Sequence, residues 1–121
     1  EGLDKDTSVA ARSSIRWLSQ RTPAKFSELL RGETSLGGLF AARGVPSVPS
    51  PREVLLLDDP YFNGAYDIAA HGSRDKSQLD AAQLEVPGPM RDTPAHRAAT
   101  AAAIAESLDV YFTRHFGMKL K

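Results

Sequence analysis

Within Tyr61–Gly88 stand the residues whose types could do chemistry: His71, Arg74 and Glu85. The last lies in the apolar run Ala81-Ala82-Gln83-Leu84-Glu85-Val86. Side chains alternate on a strand, so Ala81, Gln83 and Glu85 would share one face and Ala82, Leu84 and Val86 the other. A polar pair there is either the solvent side of a sheet or the floor of an active site. In a cleft, desolvation would raise the pKa of Glu85 toward general acid/base use. His71 follows an apolar segment and precedes Gly72, a place where loops carry function. Arg74 suits a substrate carboxylate, because its planar fork pairs two oxygens. It would equally serve as a surface partner of Asp75 or Asp80. His96 falls in a first helical turn and His115 near a helix C-terminus. The three histidines show no H-E-x-x-H or H-x-x-E spacing, so they form no metal motif.

The surrounding chain must position these groups. It has 121 residues, which suits one domain. Lys+Arg and Asp+Glu both number 15, so there is no basic excess to attract nucleic acid or an anionic membrane. No apolar run approaches the roughly 20 residues that cross a bilayer. Nothing at the start resembles a signal peptide. The absence of cysteine removes disulfides, thiolate chemistry and Cys-ligated zinc, and leaves the compartment open. The chain opens at Glu1 rather than methionine, which reads as a cut precursor or a trimmed start. A secreted or compartmentalised mature chain is compatible with that.

Four parts follow from pattern and punctuation. Residues 1–44 read as helical: Asp4–Gln20 with Thr7 or Ser8 as cap and Trp17 in the core, a second helix opened by Thr22-Pro23, and a third from Ser35 to Arg43 closed by Gly44. Residues 45–60 read as an extended connector with Pro46, Pro49 and Pro51, in which Val54–Leu57 reads as a short buried segment. Residues 61–89 predict a short antiparallel pair, Tyr66–Ala70 and Leu79–Val86, ended by Pro87-Gly88-Pro89. Residues 93–116 predict a long helix, with Thr93 as cap and Pro94 first. Ala101, Ile104, Ala105, Leu108, Tyr111, Phe112 and His115 give its apolar stripe.

"RGETSLGGLFAARGVPSVPSP", "YFNGAYDIAAHGSRD" and "LDAAQLEVPGPMRDT" in this order resemble the C-terminal part of N-formylglutamate amidohydrolase-like proteins. The resemblance covers about Arg31 to Thr93. It implies an α/β fold with a mixed sheet, of the zinc-carboxypeptidase/amidohydrolase kind, of which this chain is the C-terminal half. It implies that Glu85 is the catalytic glutamate, general base on a metal-bound water and then acid for the leaving nitrogen. Arg74, His71, Asn63 and Tyr66 would line the pocket for a small acidic substrate. Ala65 departs from the family's Gly-Gly-Tyr turn, and alanine resists φ > 0. Residues 1–60 contain no histidine, so the zinc would be held mainly by a partner, the N-terminal chain of the same precursor; a higher oligomer is compatible. Two functions follow: the C-terminal chain of a two-chain zinc-dependent amidohydrolase acting on an amide near a carboxylate, or a structural or binding protein that keeps the scaffold without catalysis.

Overall fold

The computed structural model describes residues 2–54, 65–74 and 77–120. The chain divides into two compact units, Glu1–Ser27 with Leu56–Leu84, and Glu28–Leu55 with Glu85–Lys121. Among the described residues every regular element is helical and there is no strand, which overturns the expected α/β mixed sheet.

In the first unit the expected helix Asp4–Gln20 is three short ones: α1 (Gly2–Lys5), α2 (Thr7–Ala11) and α3 (Arg16–Arg21). Short polar side chains break it by offering the backbone local alternatives. Asp6 takes an extended conformation and its carboxylate accepts from the Ser8 amide at 2.9 Å. Ser13 Oγ accepts from the Ile15 amide at 3.2 Å. Ile15, at the N-cap of α3, has no side-chain cap to give. Asp80 supplies it from far along the chain, accepting from the Trp17 amide at 3.0 Å and the Leu18 amide at 2.8 Å. Buried Ser73 donates its hydroxyl to the same carboxylate at 2.5 Å. The Arg16 guanidinium donates to the carbonyls of Ser73 (2.5 Å) and Ser77 (2.8 Å). Trp17 is half-buried, with the Arg21 guanidinium 5.4 Å from its ring.

Both expected strands fall in this unit or at its end. Tyr66–Ala70 is instead part of α6 (Tyr66–His71). Ala69 and Ala70 are strong helix formers, and Ile68 is the residue that α6 buries. The helix stops at Gly72, where an added Cβ would lie 2.5 Å from the Ile68 carbonyl and 3.2 Å from Ser14. The stretch Leu79–Val86 forms no ladder because its polar groups serve helices. Asp80 caps α3, the Ala81 amide donates to the Ser14 carbonyl at 3.0 Å, and Gln83 Oε1 accepts from the Ala65 amide at 3.0 Å. Among the described residues, Leu18, Phe26 and Ile68 are the buried apolar ones of this unit.

Helix α4 (Phe26–Arg31) starts later than Thr22-Pro23 predicts. Its first turn is held by Asp4, whose carboxylate accepts from the Ser27 amide at 2.8 Å and the Ser27 hydroxyl at 2.6 Å. In the second unit α5 (Leu36–Ala42) matches expectation: Ser35 Oγ accepts from the Gly38 amide at 3.0 Å and Gly44 has φ +79°. The proline-rich stretch folds back on α5, since a Cβ on Gly37 would collide with the Pro49 carbonyl. Of Val54–Leu57 only Val54 lies within the described residues, and it is exposed.

Helix α7 (Pro94–Phe116) is capped by Thr93 Oγ1, which accepts from the His96 amide at 3.1 Å, and closed by Gly117 at φ +65°. It packs on α5. Its buried residues are Thr100 and Ser107, with Ile104, Leu108, Tyr111 and His115 half-buried. Ala101 and Ala105 are exposed, so the inward face is turned from the expected stripe. Arg43 pairs with Glu106 at 3.5 Å, and the His115 Nε2 contact with the Thr34 carbonyl is 2.8 Å. Leu29, Leu39, Phe40 and Val45 complete the buried apolar set.

Candidate functional site

Glu85 is exposed and opens the second segment of the second unit. The residues after it are fastened to the start of α7. Arg91 Nε donates to the Val86 carbonyl at 3.0 Å. A 3-10 turn, Gly88–Met90, follows Pro87, with the Met90 amide donating to Pro87 (3.1 Å) and the Arg91 amide to Gly88 (2.9 Å). Buried Thr100 donates its hydroxyl to the Met90 carbonyl at 2.8 Å, and Arg97 Nη1 donates to the Arg91 carbonyl at 3.0 Å. Glu85 therefore has a defined station next to a bonded turn.

The other expected site residues belong to the first unit. Tyr66 opens α6 and is 80% exposed. His71 closes α6, is exposed, and its carbonyl accepts from the Ser77 hydroxyl at 3.2 Å. Five residues apart on a 3.6-residue turn, Tyr66 and His71 point about 140° from one another, so they do not share a face. Arg74 is half-buried just past the Gly72 cap. Asn63 and Asp75 lie outside the described residues. Gln83, read as a partner of Glu85 on one strand face, is spent on the α6 cap.

Among the described residues no group of three or more histidines and acids could hold a metal ion. One carboxylate does not make a zinc site, so these residues do not fit the metal by themselves. No described helix is long and apolar enough to cross a membrane.

Three features escape the sequence pattern. His96 Nδ1 lies 2.6 Å from Asp92 Oδ1, bracketing the α7 cap; the i, i+4 spacing was its only signal. The Asp80–Ser73–Arg16 network joins residues about sixty positions apart and has no local signature. Asp4 and Asp6 both have lowered pKa values: the Ser27 hydroxyl and amide stabilise the first carboxylate, and Ser8 stabilises the second. No protein-family model, curated protein or solved structure matches the chain.

Proposed function

We propose that the chain is the acid-bearing part of a two-chain zinc-dependent amidohydrolase that cleaves an amide near a carboxylate, such as that of an N-acyl amino acid. Glu85 accepts a proton from the attacking water as oxygen bonds to the amide carbon. It then delivers that proton to the nitrogen as the C–N bond breaks, releasing a carboxylate and an amine. The observation that carries this proposal is the station of Glu85: an exposed carboxylate, reachable by a partner, beside a turn bonded to α7. Such chemistry needs no sheet in this chain. In this reading the metal is held mainly by the partner chain, since residues 1–60 contain no histidine. A partner also suits the small core. Among the described residues seven apolar ones are buried, while Tyr66, Leu79 and Leu84 stand exposed in the first unit.

Purified complex assayed for bound zinc by elemental analysis, and for release of amine from an N-acyl amino acid, tests this. Stoichiometric zinc with turnover is the expected result. A stable 13.1 kDa monomer on size exclusion would count strongly against the two-chain arrangement.

The second function, a binding or structural chain without catalysis, is favoured by one observation. Tyr66 and His71 point about 140° apart on α6, so they do not share a face. A complex with no metal and no turnover would establish it.

A further inference from the structure

We infer that Thr100, with Arg91 beside it, is a positioning residue for Glu85; this rests on the amidohydrolase proposal above. The segment that follows Glu85 has no strand neighbour to hold it among the described residues. Side chains take over that work at three carbonyls: Arg91 Nε on Val86 (3.0 Å), Thr100 Oγ1 on Met90 (2.8 Å) and Arg97 Nη1 on Arg91 (3.0 Å). Two of these donors stand on α7. Thr100 is the most telling, being one of two buried residues on a 23-residue helix and only 7% exposed. A threonine hydroxyl in a helix commonly turns back to its own preceding carbonyls. Ser107, the other buried residue, does so, donating to Ala103 at 2.7 Å. Thr100 instead reaches out of the helix to Met90, which ties the 3-10 turn to α7. The turn begins three residues after Glu85, and Arg91 grips the carbonyl of Val86, the residue next to Glu85. Rotation or translation of this segment would carry the carboxylate with it. Proton transfer tolerates little of that, and a displacement of about 1 Å can cost on the order of a hundredfold in rate.

The test uses Thr100→Val, which keeps the shape and removes the donor, and Thr100→Ser, which restores it. Both are made in the zinc-loaded complex. Thr100→Val is expected to lower kcat on the order of ten- to a hundredfold with KM unchanged. It should also speed hydrogen exchange at the Met90 and Arg91 amides, while Thr100→Ser recovers both. Exposed Arg91→Ala gives the same kcat loss if Thr100→Val folds poorly. Wild-type kcat in Thr100→Val, alongside a Glu85→Gln variant that is inactive, overturns the positioning role and leaves the amidohydrolase proposal standing. Unchanged exchange at Met90 and Arg91 also overturns it. A wild-type complex without turnover fails the amidohydrolase proposal first and the positioning role with it.

Discussion

Helix α7 and helix α3 are built by different means. At α7 the signals are adjacent in the chain: Thr93 caps the His96 amide, Pro94 occupies the first turn, and Gly117 closes the last turn with a positive φ. At α3 the residue at the N-cap is Ile15, which has no oxygen to offer. The cap comes from Asp80, steadied by Ser73, while Arg16 grips the Ser73 and Ser77 carbonyls. Helix α6 follows the second pattern, with Gln83 bonded to the Ala65 amide. Self-capped helices survive loss of remote contacts, whereas remotely capped ones fold only with the segment that caps them.

Substitutions can break that contrast. Asp80→Ala should have the largest effect. It removes charge-assisted bonds to two amides and leaves the buried Ser73 hydroxyl without its carboxylate, a loss of about 2–3 kcal/mol by urea unfolding. Gly37→Ala should cost about 1–3 kcal/mol, since the new Cβ meets the Pro49 carbonyl and outweighs the gain in helix propensity. Thr93→Ala removes one local cap and should cost about 1 kcal/mol, with the loss confined to the first turn of α7 in hydrogen exchange. A cost at Thr93 larger than at Asp80 would reverse the comparison. Gln83→Ala should be milder, about 0.5–1 kcal/mol, because its bond to Ala65 is exposed.

The smallest effect is in acid. The folded-state pKa of Asp4 lies below the ordinary 3.8. Its contribution is therefore complete above that value and lost as pH falls through the lowered folded-state pKa. Asp4→Asn should flatten the acid limb of the stability curve below pH 3.8 by a small loss of stability at neutral pH that disappears at low pH. An acid limb that keeps its slope would show that the Ser27 bonds do not matter.

The same contrast explains what was legible from residues alone. Helices α5 and α7 could be read because Ser35, Gly44, Thr93, Pro94 and Gly117 act within a few positions of themselves. The strand pair at Tyr66–Ala70 and Leu79–Val86 was misread because the alternation of apolar and polar residues there has another cause. Asp80 and Gln83 are polar because they cap α3 and α6, not because a sheet face meets water. The break-up of Asp4–Gln20 was marked by Asp6 and Ser13, whose side chains take neighbouring amides. At the candidate site Glu85 was legible by type and by the Pro87 that follows, but its fastening through Arg91 and Thr100 depends on the turn between them.

The most direct measurement is the rate of amine release from an N-acyl amino acid by the zinc-loaded complex carrying Glu85→Gln, against wild type. The substitution keeps the shape and removes the proton acceptor, and Glu85 is exposed, so zinc content and unfolding midpoint should not change. Turnover should fall by about 10²–10⁴, the usual worth of general acid–base catalysis. Full turnover with zinc bound would contradict the account and make Glu85 a surface carboxylate.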